Sequence, residues 1–158
     1  TGRSVAHARP GGEGAAIPVG SGPVRGQFNR RGDRFYVIHE ISPYVLAIHP
    51  QSLSVTTRFP VRSGMGSVKT DPGTDLIFLG RKRDFAVALH EPVAFGPVGY
   101  LDTGTSIAYM AVDAEENALF MVSADRDSVL VTNLISRRIV GEIDVGGGPY
   151  WVTMMGER

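Results

Sequence analysis

The side chains of this chain that could do chemistry are charged or aromatic, and they gather in short runs. His39-Glu40, Arg62, Arg81-Lys82-Arg83 and Asp125-Arg126-Asp127 each interrupt a stretch of apolar and β-branched residues. Cations set beside short carboxylates can hold a polar or anionic ligand through charge-assisted hydrogen bonds. The plainer reading of the same runs is solvated turns. Tyr109 and the pair Tyr150-Trp151 add rings on which a ligand could stack, although rings in such places more often pack between sheets.

Other chemistries find little support. The four histidines, His7, His39, His49 and His90, invite a metal or haem reading. His7, His49 and His90 fall at the ends of strand-like segments in different parts of the chain, where a histidine is more often a turn residue. Arg31-Gly32-Asp33 matches an adhesion tripeptide but sits where a tight turn is needed. Gly146-Gly147-Gly148 is Gly-rich like a phosphate loop, yet neither a helix pattern nor a Lys follows it. The run 113–117, Asp-Ala-Glu-Glu-Asn, lacks the residue order of a calcium loop. Nothing places a Ser-His-Asp triad. The sequence therefore assigns no catalytic residue, no metal and no cofactor.

The bulk numbers narrow the class. A length of 158 residues with 42% apolar content is enough for one cored domain. Sixteen basic residues balance sixteen acidic ones, so there is no electrostatic case for nucleic acid or an anionic membrane. Without cysteine the chain has no disulfide, no thiolate metal site and no covalent c-type haem attachment. No apolar run reaches the roughly 18–20 residues of a membrane span. There is no signal peptide, and the first residue is Thr1, so a leader removed from the chain remains compatible.

The elements that must position these residues recur with a fixed period. Strand-like segments at 33–38, 75–80 and 117–122 lie 42 residues apart. Val45, Val87 and Val129 fill one slot of the next strand in the same register, and Gly22-Pro23 returns as Gly148-Pro149. Several short strands in a unit of about 40–45 residues mark a β-propeller. Apolar residues alternate or cluster in runs of about four to six, rich in β-branched and aromatic types, which excludes helices. A solenoid of β-coils repeats similarly but with shorter coils.

The expected fold is all-β, with four-stranded antiparallel blades. Residues 1–18 end a preceding blade, 19–61, 62–102 and 103–145 are full blades, and 146–158 supply the first strand of the next, at 150–155. Weak third and fourth strands are expected at 4–8 and 15–19, with a Gly-rich loop at 11–14. Pro97 removes a backbone N–H from the fourth strand of the second blade, making it an outer edge strand. The expected core includes Phe35, Val37, Val45, Ile77, Leu79, Val87, Leu119, Met121 and Val129.

One unit carries a resemblance. The segments 119–123 (Leu-Phe-Met-Val-Ser), 129–133 (Val-Leu-Val-Thr-Asn) and 143–149 (Ile-Asp-Val-Gly-Gly-Gly-Pro) together resemble the YVTN-type β-propeller repeat. The junction ending in Gly148-Pro149 is the most specific part. The namesake tetrad itself reads Phe120-Met121-Val122-Ser123 here. The resemblance implies a bacterial or archaeal protein, often exported or surface-exposed: periplasmic, secreted or on the cell surface. It fixes no activity, since related rings include binding proteins, dehydrogenase subunits and a haem-binding reductase domain.

In such a ring, the turns before the first strand and between the second and third strands share one face, where loops vary on a rigid frame. The charged runs above belong to that face. A ligand is expected at 39–42, 61–65, 80–84, 103–107, 123–127 or 145–150. The leading expectation is a non-catalytic binding or scaffold propeller with a protein or small-molecule partner. The alternative is a propeller part of a redox enzyme or hydrolase whose catalytic centre or cofactor lies largely outside this chain. By the period, the chain starts at a third strand and stops before a second one. The remaining blades are therefore expected from a longer chain or another subunit.

Overall fold

The structure, a computed structural model, describes residues 5–8 and 15–154. The expected loop at 11–14 and residue Met155 lie outside the described residues. Two strands, β1 (Val5–Ala8) and β2 (Ala15–Pro18), pair as an antiparallel ribbon. Blade one follows as β3 (Pro23–Phe28), β4 (Phe35–His39), β5 (Tyr44–His49) and β6 (Ser54–Pro60). Blade two is β7 (Met65–Thr70), β8 (Ile77–Arg81), β9 (Ala86–His90) and β10 (Pro97–Asp102). Blade three is β11 (Tyr109–Asp113), β12 (Ala118–Ser123), β13 (Ser128–Asn133) and β14 (Arg138–Asp144). Each is a four-stranded antiparallel meander, and no helix occurs among the described residues. No helix of the described residues is long and apolar enough to cross a membrane.

The period is written in the backbone as well as the side chains. Leu53, Phe95 and Arg137 stand one repeat apart in the turn from third to fourth strand, with φ of 52°, 61° and 54°. Left-handed backbone is disfavoured for side chains of this kind, so a shared turn geometry imposes it each time. The first strands of blades one and two shift register at the same slot, between Pro23 and Arg25 and between Met65 and Ser67. Such bulges bend the strand and raise its twist.

The blades stack face to face, and the register decides which residues meet. On β4, Val37 is opposite Leu46 and packs back against Ile17 and Val19, near the β1–β2 ribbon. Tyr36, opposite Ala47, packs forward with Ile38 and Val45 against Ile77, Leu79 and Val68 of blade two. Phe78, Val87 and Leu89 in turn pack forward against Met110, Leu119, Met121 and Leu130 of blade three. Each fully buried side chain of this size contributes about 1.5–3 kcal/mol. The expected core residues are all buried apart from Phe35, which is half-buried with its ring 4.6 Å from that of Phe28. Both faces of the middle strands are covered, so β4 is buried continuously from Tyr36 to His39 rather than at alternate positions.

First strands lie innermost. Arg25 Nε donates to Gly66 O at 2.9 Å, Thr70 Oγ1 to Phe28 O at 3.1 Å and Lys69 Nζ to Gln27 Oε1 at 3.1 Å. The fourth strands β6, β10 and β14 are outer edges, with Pro60 and Pro97 on the first two. Residues 150–154, expected as the start of a further first strand, join no ladder.

Candidate functional site

The turns expected on one face do come together, and backbone hydrogen bonds lace them from blade to blade. Glu40 N donates to Gly22 O, Gly64 N to Glu40 O and Lys82 N to Gly64 O, at 2.8, 2.7 and 3.1 Å. This leaves the side chains in different situations.

His39 is fully buried, not presented on the loop face. Its Nε2 lies 2.6 Å from Val19 O and its Nδ1 3.1 Å from Tyr44 O, so the ring ties the entry to blade one onto its third strand. Glu40 and Lys82 are exposed but pair with each other at 2.8 Å. Arg81 pairs with Asp84 at 2.5 Å and donates from Nε to Ser63 O at 2.7 Å. On blade three, Asp125 accepts from Ser106, and Arg126 donates to Gly104 O at 3.2 Å and approaches Glu142 at 3.8 Å. Asp127 Oδ1 accepts from Gly148 N at 2.8 Å and its carbonyl from Val145 N at 3.0 Å. These three hold the junction to blade three and the segment after it.

A cleft of about 800 Å³ opens between blades one and two and brings together three of the expected residues: Arg62, Arg81 and Arg83. Its wall is apolar, formed by Pro60, Val61, Met65, Leu79, Ala86 and Ala88, with Pro97 from the outer strand. Phe85 and Tyr100 stand at its rim, 62% and 70% exposed. Among the described residues the only acidic one lining it is Asp84, already paired with Arg81, so Arg62 and Arg83 set the sign of the cleft. The cleft runs from the loop face to His90 at the far end of β9, whose Nδ1 lies 2.9 Å from Phe95 O. Its size lies within the range of small-molecule and peptide-side-chain pockets. The sequence reading missed Phe85 and Tyr100. Phe85 follows the Arg81-Lys82-Arg83 run by two residues and Tyr100 sits on an outer strand; large exposed rings in those places were the available signal.

Arg126, Asp125 and Asp127 do not line this cleft, and neither do Tyr150 and Trp151. Trp151 stacks on Tyr109 with ring centroids 4.3 Å apart, and the Arg25 guanidinium carbon lies 4.7 Å from the same Tyr109 ring. Tyr150 is exposed. His49 accepts from Ser52 N at 3.4 Å, a turn contact, and His7 lies on β1. Among the described residues no group of three or more histidines and carboxylates is placed to hold a metal ion.

Three repeated four-stranded meanders, stacked face to face with their first strands inward, are the blades of a β-propeller. Among solved structures the chain is similar to hydrazine synthase of Kuenenia stuttgartiensis, with a TM-score of 0.73 at 11% identity. The match covers 82% of this chain and 38% of that one, and at this identity the likeness is one of fold. No family model matches the chain, and no curated protein does.

Proposed function

We propose that this chain is a non-catalytic binding unit of a YVTN-type propeller, and that the cleft between blades one and two takes an anionic ligand with an apolar body. The observation that carries this is the composition of the cleft: an aliphatic wall, two exposed rings, and Arg62 and Arg83 at the mouth. An apolar wall supplies affinity through area removed from water, and arginine at the rim selects a carboxylate or phosphate. Such a ligand is either a small acid or a side chain presented by a protein partner. The resemblance to exported propellers supports a periplasmic, secreted or surface location, and supports further blades supplied by a longer chain or another subunit.

The test uses octanoate and its neutral counterpart octanamide, followed by NMR of isotope-labelled protein. Octanoate is expected to shift the amide signals of Arg62, Arg83 and Phe85 saturably, with octanamide weaker. Substituting both arginines, Arg62→Gln with Arg83→Gln, is expected to remove the difference between the two ligands. Shifts confined to other residues overturn the reading. The second reading, a propeller part of a redox enzyme or hydrolase, draws on the fold neighbour being named a synthase. Visible absorbance in purified full-length material would favour it.

A further inference from the structure

The cleft between blades one and two opens where one strand departs from the repeat. In blade one the third strand packs Tyr44, Leu46 and Ile48 back against Ile17 and Val19. In blade three the same slots hold Ser128, Leu130 and Thr132, all buried, with Leu130 in the core shared with blade two. Blade two carries Ala86, Ala88 and His90 there, and all three line the cleft. Side chains alternate along a strand, so Val87 and Leu89 pack on blade three while these three share the other face. At the middle slot an alanine stands where the other blades set a leucine, and the space that side chain would fill belongs to the cleft.

The cleft has a direction. Arg62 and Arg83 stand at its mouth, and β9 runs from Ala86 beside them to His90 at the far end. That run spans on the order of 13 Å, at about 3.4 Å per residue. A glutamate side chain reaches only about 5 Å from its Cα, so a partner's acidic side chain held at the arginines leaves the far end untouched. His90 is 7% exposed, with its ring 5.6 Å from that of Phe59. Its Nδ1 lies 2.9 Å from Phe95 O, which only accepts, so this nitrogen carries the proton and donates. Nε2 is then the acceptor of the neutral ring, and among the described residues nothing pairs with it. His39 differs, since carbonyls take both of its nitrogens. A ligand that brings a partner to Nε2 of His90 gains a hydrogen bond in a place largely shielded from water.

We infer that the ligand of this cleft is a linear ω-hydroxy acid of about ten carbons, its carboxylate at Arg62 and Arg83 and its hydroxyl at Nε2 of His90. This rests on the reading of the cleft as a site for an anionic ligand, and adds what lies at its other end. An extended chain advances about 1.3 Å per carbon–carbon bond, so such a molecule matches the span of β9. A hydroxyl both donates and accepts, so it pairs with Nε2 in either protonation state of the ring.

Isothermal titration of ω-hydroxydecanoate, decanoate and ω-hydroxyhexanoate tests this. The first is expected to bind about fivefold more tightly than decanoate, although it is the less hydrophobic, and the short hydroxy acid to bind weakest. His90→Phe is expected to reverse the order of the two longer acids. A purely structural role for His90 would instead weaken both alike and leave their ratio unchanged. Ala88→Leu restores the side chain that the other blades carry, and is expected to weaken both longer acids at least about tenfold. It decides the placement along β9 should His90→Phe lose its cooperative melt. Decanoate binding as tightly as ω-hydroxydecanoate, an unchanged ratio in folded His90→Phe, or unaltered affinities in Ala88→Leu overturns the inference. Decanoate binding that still depends on Arg62 and Arg83 would then leave the reading of the cleft standing, whereas no binding of any of the three acids overturns both.

Discussion

Lys82 and Glu40 occupy one slot of the repeat, 42 residues apart, and join adjacent blades through a 2.8 Å contact between Nζ and Oε1. The sequence offers both as ligand groups, whereas the fold satisfies them with each other. The positive character of the neighbouring cleft therefore rests on Arg62 and Arg83.

Both members of this pair are about half exposed, with side-chain accessibilities of 52% and 50%. A double-mutant cycle of Glu40→Gln and Lys82→Gln, read by urea unfolding, is expected to give a coupling of at most about 1 kcal/mol. It should shrink as salt is added, because exposed charges are screened. A larger, salt-independent coupling would count against a surface pair.

Leu79 is 1% exposed and sits between blades one and two, against residues of β4 and β5. Leu79→Ala is expected to cost about 2–5 kcal/mol, since it removes a buried side chain from its packing against β4 and β5. The denaturation midpoint should fall while the slope holds. A loss under about 1 kcal/mol would mean that the blades do not pack as described.

Gly26 on β3 lies beneath the ring of Phe35, where an added Cβ would come within 2.1 Å of the ring. Gly26→Ala is expected to displace that ring and its contact with Phe28, costing about 1–3 kcal/mol. The combined change Gly26→Ala with Phe35→Leu should cost less than the sum of the two alone. Additive losses in calorimetry would show that the ring does not depend on the glycine.

Tyr36 is fully buried, and among the described residues its hydroxyl has no hydrogen-bond partner of good geometry, with the Arg34 guanidinium close by. Burial pushes the phenol above its ordinary 10.0, with the nearby Arg34 guanidinium opposing part of the rise. Well below pH 10.0 both folded and unfolded chains keep the proton, so this group gives no pH dependence there. Above it, the unfolded chain releases the proton first, and stability falls until the folded phenol also ionises. Tyr36→Phe is expected to be neutral or slightly stabilising at neutral pH, because it removes an unsatisfied polar atom. The alkaline fall in Tm should also be shallower in the variant. A clear loss of Tm at neutral pH would mean that the hydroxyl has a partner.

The repeat was legible without the structure because one physical requirement recurs in every unit. Each blade must cover both faces of its middle strands, so apolar residues return at Val45, Val87 and Val129, and turn residues return between them. Pro97 was readable as an edge residue for an equally local reason, the missing N–H. What the tertiary structure decided was which polar groups would be used up. Neither the burial of His39 between two carbonyls nor the pairing of Glu40 with Lys82 follows from residue type, because the first depends on how blade one closes its entry onto its third strand and the second on how closely two blades approach. The cleft at Arg62 and Arg83 is likewise a product of stacking. The cleft sets Pro60 and Val61 of one repeat beside Arg83 and Phe85 of the next, and only the packing of one sheet on the next brings such residues together.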